Sequence, residues 1–351
     1  MQFLRNTWYA AALASELADA PLGRILLGEK VVFYRASNNR IIALENRCPH
    51  RFAPLSMGKV TGDEIECGYH GLRFGEGGAC TGNPHGDKKI PNGSSIRHYP
   101  ATERDGFIWF WPGDPQKADE RRIPAFPEMS DTENFTAVFG YLPTRANYEL
   151  VIDNLLDLSH VEFLHPLFKQ PGGVDAHKTE FRQDGNDVFA MRWKPGIPVT
   201  GLGKLYWTSP STHGDSRAHM RWSAPSVLHF DLGVTEEGAP EADGVCLPNA
   251  HMVTPQDEFN SHYFWSIARN RKIDDADASQ HLFNVANKIF ATEDLPMIEA
   301  QQENMDGRTD LMAMKPVSLE PDIPAVRARR ILRQLIEDEQ LQTIAPSQAA
   351  E

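Results

Sequence analysis

No apolar run in this chain approaches the roughly 20 residues that a bilayer-spanning helix needs. The opening Met1-Gln-Phe-Leu-Arg-Asn-Thr-Trp lacks the charged-then-apolar pattern of a secretory leader. Basic tracts are missing as well. Lys and Arg number 35 against 48 Asp and Glu in 351 residues, an acidic balance that argues against nucleic acid as a partner. Nowhere does a strand-like run lead into Gly-x-Gly-x-x-Gly, so a flavin or nicotinamide nucleotide, if the chemistry needs one, sits on another protein. Cysteine is scarce. Of the four, Cys80 and Cys246 stand far apart without a motif and read as small buried side chains. The other two belong to the motifs below, which leaves no disulfide framework and predicts a reduced, cytoplasmic setting. The length exceeds one typical domain and predicts two.

The two remaining cysteines fall in matched loops. Cys48-Pro49-His50 and Cys67-Gly68-Tyr69-His70 each pair one thiolate with one imidazole, and residues 51–66 separate them. A Rieske [2Fe–2S] centre uses this alternation: two cysteines hold one iron, two histidines the other, and each loop serves both metals. Histidine ligation also lifts the reduction potential above that of an all-cysteine cluster. The alternative is a Cys₂His₂ zinc site, which takes the same ligand types but more often groups Cys with Cys and His with His.

Around these loops the chain reads as short β-segments at 24–27, 30–35, 40–44, 64–67, 72–74 and 107–111. They predict a small antiparallel β-domain over 1–125, closed by the Pro- and charge-rich stretch from Pro112 to Pro127. A second domain, 126–340, opens with a strand and a helix from Asn147 to about Phe163. It continues through strand-like runs at 226–232 and 261–267 into a long amphipathic helix over 276–304, which Asp274 or Asp275 caps and Pro296 kinks. Residues 341–351 are expected to fray.

Within the opening helix, Asp157 and His160 are three apart and share a face, whereas His165 is rotated away. Both histidines reach one ion only if the helix ends or bulges between them, and Pro166 favours an end. Two imidazoles and a carboxylate form the facial triad of non-haem Fe(II) oxygenases; ordinary helix-surface polarity is the alternative. Glu293, Asp294 and Glu299 are the candidate carboxylates. Asp294 lies among Phe290, Leu295 and Ile298, and a carboxylate buried there calls for a cation.

At this point the chain resembles the oxygenase component of Rieske non-haem iron oxygenases, in the vanillate O-demethylase and dicamba O-demethylase branch. The resemblance rests on Asn6-Thr-Trp-Tyr-Ala-Ala, Cys48-Pro-His-Arg-Phe-Ala-Pro-Leu-Ser, Cys67-Gly-Tyr-His-Gly-Leu and Gly106-Phe-Ile-Trp-Phe-Trp-Pro-Gly-Asp. It extends over 147–160, Trp265-Ser-Ile-Ala-Arg-Asn and Lys288-Ile-Phe-Ala-Thr-Glu-Asp-Leu. It implies an α+β chain: an N-terminal antiparallel β Rieske [2Fe–2S] domain, then a helix-grip-like catalytic domain with an antiparallel sheet and a long C-terminal helix.

Carried over residue by residue, the resemblance implies that Cys48, His50, Cys67 and His70 hold the cluster, and that His160, His165 and Asp294 hold a mononuclear Fe(II). Asn154 would lie near that iron. Asp157 would bridge a cluster histidine of a neighbouring subunit to an iron-ligating histidine, which implies a head-to-tail homotrimer. The implied reaction is O-demethylation of a methoxylated aromatic acid with O₂ and electrons from a flavin/ferredoxin-type NADH reductase, releasing formaldehyde. Hydroxylation of a methyl group, ring dihydroxylation, and a non-catalytic Rieske electron carrier are the alternatives. By position, His251 contacts the substrate carboxylate, with Arg269 and Arg221 as alternatives. Phe230, His251 and Phe264 are expected at the pocket wall, although residues 167–250 follow the family least closely. Arg47, Arg51, Arg73, Lys88 and Lys89 are expected to form a basic docking face for the reductase.

Overall fold

The structure, a computed structural model, describes residues 2–18, 20–169 and 179–344. It divides into two compact units. One comprises Arg5–Ala125 with Thr254–Asp257, and the other is built on Phe126–Val253 and the chain from Glu258 onward. Among the described residues, no helix is long and apolar enough to cross a membrane.

The first unit holds β1 (Tyr9–Leu13), β2 (Leu22–Leu26), β3 (Glu29–Arg35), β4 (Ile41–Glu45), β5 (Lys59–Thr61), β6 (Glu64–Glu66), β7 (Arg73–Phe74), β8 (Cys80–Gly82), β9 (His98–Tyr99), β10 (Ala101–Arg104) and β11 (Phe107–Phe110). They form three sheets, ordered β1-β11-β10, β2-β3-β4-β9 and β5-β6-β7-β8. The two Cys/His loops leave this framework after β4 and β6, and each is closed in the same way. Cys48 N–H donates to the Ala53 carbonyl at 2.9 Å and receives Phe52 N–H on its own carbonyl at 2.8 Å; Cys67 donates to Leu72 at 2.8 Å and receives Gly71 at 2.9 Å. The equivalent corners, Phe52 and Gly71, both take positive φ, 59° and 71°. Glycine reaches that conformation freely, whereas Phe pays a steric cost for matching the second loop. The sheet also packs backbone on backbone, since a Cβ on Gly58 would lie 2.0 Å from the Glu66 carbonyl oxygen.

The second unit is built on β12 (Thr136–Thr144), β13 (Thr179–Asp184), β14 (Asp187–Pro198), β15 (His213–Ser223), β16 (Val227–Thr235), β17 (Val245–Pro255) and β18 (Ser261–Arg269). They make one antiparallel sheet in the order β12-β18-β17-β16-β15-β14-β13. Its helices are α1 (Tyr148–Leu156), α2 (Val161–Leu164), α3 (Gly201–Lys204), α4 (Ala276–Ile289), α5 (Leu295–Asn304) and α6 (Ile323–Ile344). The main core joins the buried face of α1 (Leu150, Val151, Leu155) to Trp222, Leu228, Leu247 and Trp265 from the sheet and to Leu282, Ala286 and Ile298 from the later helices.

Three expectations need correction. The helix from Asn147 ends at Leu156, before His160 rather than between the histidines; Asp157 adopts an extended backbone and a short second helix follows. The long helix is not simply kinked at Pro296. Asp275 caps α4, accepting Ala278 N–H at 2.9 Å, and a π-helical turn, Phe290–Asp294, intervenes before α5. The wide turn sets Pro296, which has no N–H to offer, in the first turn of α5. Finally, residues 341–344 of the expected frayed tail still belong to α6, while 345–351 lie outside the described residues.

Candidate active site

The break after α1 brings the two histidines together. His160 precedes α2 and His165 follows it with an extended backbone imposed by Pro166. Their Nε2 atoms come within 3.2 Å of each other. Asp294, at the end of the π turn, presents Oδ1 at 3.4 Å from His160 Nε2 and 3.3 Å from His165 Nε2. Second contacts fix which imidazole nitrogen carries the proton. His160 Nδ1 meets the Asp157 backbone carbonyl, and His165 Nδ1 lies 2.8 Å from Glu293 Oε2. Both partners only accept, so each Nδ1 donates, and in the neutral ring each Nε2 turns a lone pair inward. Asn154 Nδ2 donates to Asp294 Oδ1 at 3.1 Å.

Two lone pairs and a carboxylate thus face one another with ligand atoms within 4.8 Å, an arrangement that a cation relieves. The acid–base behaviour points the same way. Burial pushes the Asp294 carboxyl up, but hydrogen bonds and charge from His160 and His165 outweigh it and hold the group at about 2. Burial would lower His165, yet Asp294 and Glu293 raise it. This donor set fits a metal that keeps open positions.

Glu293 is the residue the sequence offered only as one of three possible ligands; here it orients His165. Glu299 instead pairs with Arg145, whose Nη2 donates to it at 2.6 Å. The Asp157 carboxylate is held by its own turn, accepting from Ser159 N–H at 2.7 Å and from Ser159 Oγ–H at 2.6 Å.

Beside the triad lies a cavity of about 100 Å³, lined by Phe230, His251, Asn249, Met220 and Phe290 among others. His251 is 2% exposed. Its Nδ1 pairs with the Tyr263 hydroxyl at 2.9 Å, and its buried Nε2 has no partner among the described residues. Burial pushes this imidazole down to about 3, so it is neutral near pH 7.

Phe264 is not at this wall. It lies on the opposite face of β18, stacked on Tyr141 with ring centroids 5.0 Å apart, while its neighbours Tyr263, Trp265 and Ile267 face the core. Nor do the alternative arginines reach the cavity. Arg269 donates from Nη2 to the Asp275 carbonyl at 2.7 Å and to Ser279 Oγ at 3.0 Å, tying β18 to the start of α4. Arg221 pairs with His229 across β15 and β16, one residue out of phase with the cavity-lining Met220 and Phe230.

In the first unit, Cys48 and Cys67 are each 2% exposed, and the His50 and His70 ring centroids are 4.4 Å apart. Burial pushes the Cys48 thiol up, and the adjacent Cys67 adds to the shift. Two buried sulfurs on one side and two imidazoles on the other match the two-plus-two demand of a Rieske cluster. Cys80 and Cys246 are half-buried free thiols. The expected basic face is weaker than the sequence suggests. Arg47 pairs with Glu45 at 2.9 Å, Arg73 with Glu64 at 3.5 Å and Lys89 with Asp87 at 2.7 Å.

Comparison with known proteins follows the same division. Residues 7–100 match the Rieske [2Fe–2S] domain, and 144–338 match the vanillate O-demethylase oxygenase C-terminal domain. The chloroacetanilide N-alkylformylase oxygenase component of Rhizorhabdus wittichii is 37% identical, over 96% of this chain and 97% of that one. The dicamba O-demethylase oxygenase component of Stenotrophomonas maltophilia is 35% identical, over 95% and 98%. A crystal structure of dicamba monooxygenase with non-haem iron and dicamba superposes with a TM-score of 0.85 at 33% identity, covering 97% of this chain and all of that one. With both domains matched in order and nearly full-length relatives above 30% identity, the chain belongs to the Rieske non-haem iron oxygenases, in the vanillate and dicamba O-demethylase branch, as the oxygenase component of a multi-component monooxygenase.

Proposed function

We propose that this oxygenase component O-demethylates a methoxylated, vanillate-like aromatic acid. The observation that carries the reading is the His160, His165 and Asp294 constellation opening onto a cavity walled by Phe230, Met220 and Phe290, where His251 Nε2 has no partner among the described residues. When bound, the Rieske cluster relays single electrons and the mononuclear iron activates O₂.

The assignment gives Cys48, Cys67, His50 and His70 to the cluster and His160, His165 and Asp294 to the iron. Glu293 and the Asp157 carbonyl then keep both histidines in the ligating tautomer, and Asn154 steadies the Asp294 carboxylate. Phe230 and its apolar neighbours exclude water from the ring, and His251 holds a substrate oxygen through Nε2. Methoxyarene, O₂, NADH and a proton give phenol, formaldehyde, water and NAD⁺. One oxygen atom enters a methyl C–H bond, and the resulting hemiacetal collapses.

NADH oxidation belongs to a separate reductase. Its docking face would centre on Arg51 and Lys88, since other basic residues near the loops are paired. Asp157 would carry the connection to a cluster histidine of the next subunit in a cyclic trimer. Support for that reading is the exposure of Phe52, Met57 and Tyr69 around the cluster loops, 65%, 78% and 65%, which suits a contact surface. The similarity to a chloroacetanilide N-alkylformylase component favours a second reading, dealkylation at the nitrogen of a neutral anilide.

Turnover with a class-matched reductase and NADH, on 3- and 4-methoxybenzoates and on an N-alkyl anilide, separates the two. Formaldehyde and the corresponding hydroxybenzoate, each in step with NADH consumed, are expected. Product from the anilide alone would overturn the acid reading.

A further inference from the structure

A second cavity, about 150 Å³, lies beyond Phe230 and shares Leu158, Val161, Phe168, Leu202 and Leu232 with the one beside the triad. The two adjoin across these shared walls, and a cavity of about the second's size accommodates a benzene ring. Apart from Thr200 and Ser216 its described walls are apolar, save where the charged Glu162, Arg192 and Lys194 meet. All three are buried, with relative exposures of 8%, 7% and 8%. Arg192 and Lys194 alternate on β14, so both side chains stand on the inner face. Register places them against small residues, Arg192 opposite Ala218 and Lys194 opposite Ser216, which leaves space above the sheet.

Among the described residues, only one of the two cations forms an ion pair. Lys194 Nζ donates to Glu162 Oε1 at 3.2 Å. Arg192 donates from Nε to the Thr179 hydroxyl at 3.2 Å, and among the described residues it makes no ion pair. Among the described residues the buried Arg192 guanidinium thus has no carboxylate in contact, and Glu162 and Asp157 act on it only from a distance. A buried charge is costly unless it is paired, and a guanidinium fork matches a carboxylate in shape.

We infer that Arg192, seconded by Lys194, is the anion subsite of the substrate chamber: it binds the acid group of the aromatic substrate at the end remote from His160, His165 and Asp294. His251, neutral and close to the triad, then contributes a hydrogen bond rather than the charge that selects an acid. The subsite deepens the O-demethylase reading and rests on it only for the direction in which the substrate lies.

The test is calorimetric binding, without turnover, of 4-methoxybenzoate and its neutral counterpart 4-methoxybenzamide to the cluster- and iron-loaded protein. The wild type is expected to prefer the acid by about 10- to 100-fold, the range of a charge-assisted hydrogen bond. Arg192→Gln should lose that preference while binding the amide as before, and Arg192→Lys should keep part of it. Arg192 is the better target because its removal strands no buried carboxylate, whereas Lys194 also anchors Glu162. Equal binding of acid and amide by the wild type, no binding of the acid at millimolar concentration, or an unchanged preference in Arg192→Gln would overturn the subsite. The two readings separate cleanly. Acid preference without formaldehyde release sinks the demethylase and leaves the subsite, and formaldehyde release without acid preference does the reverse.

Discussion

Glu293 offers the sharpest test of how the protein prepares its metal site. Its carboxylate accepts from His165 Nδ1 at 2.8 Å, with the histidine side chain 4% exposed and the glutamate 20%. A hydrogen bond to a charged partner contributes about 1.5–3 kcal/mol, and this one is mostly shielded from water. Glu293→Gln keeps an acceptor and removes the charge. About half of that contribution should go, close to tenfold in Fe(II) affinity, since 1.4 kcal/mol is a factor of ten. Glu293→Ala removes the acceptor too and frees the imidazole to rotate or to change tautomer, so the loss should approach 100-fold. The assay is anaerobic Fe(II) titration of protein that retains its Rieske cluster, with the cluster's EPR signal as a check that the first unit is intact. Glu299→Gln serves as the control, because that carboxylate is committed to Arg145 and should leave iron affinity unchanged. Affinity within twofold of wild type in Glu293→Ala would refute the orienting role.

Other expectations follow from buried charge. Arg329 on α6 grips Asp153 on α1, donating from Nη2 at 2.7 Å, and also pairs with Glu149. Arg329→Met strands two acids and should cost about 3–5 kcal/mol in urea unfolding; a loss below about 1 kcal/mol would mean the pair is not structural. For His251, the folded value near 3 lies below the ordinary 6.5. Its contribution to stability is therefore present above the unfolded value and is lost as pH falls below it toward 3. Between pH 7.5 and 5 the wild type should lose about 2 kcal/mol more than His251→Gln; parallel pH profiles would show that the ring is not buried in its neutral form.

What could be read from the sequence depended on how local each signal is. The cluster ligands stand within three residues of one another in each loop, so their spacing alone suggests two irons. Asp294 stood out because its neighbours are apolar. Glu293 did not, because its partner is an imidazole more than a hundred positions away, brought to it by the π turn. Phe264 was misplaced for a different reason. Every residue of β18 is buried, so no hydrophobic alternation marks which face meets the chamber, and a shift of one residue exchanges the faces. Arg192 and Lys194 escaped notice because a charged residue on a strand ordinarily reads as solvent-facing; only the seven-stranded register turns them inward. The α6 helix was missed altogether, although its ion pairs hold α1 and thereby the start of the metal-binding segment.

The central claim is that His160, His165 and Asp294 build a metal centre separate from the Cys48, His50, Cys67 and His70 cluster. Iron and acid-labile sulfide, counted per chain in anaerobically prepared wild type and His160→Ala, test it most directly. The account predicts a cluster of two irons and two sulfides plus one further iron in the wild type, and loss of that one iron alone in the variant, with the Rieske EPR signal unchanged. Equal iron in the two proteins, or loss of sulfide along with the iron, would contradict it.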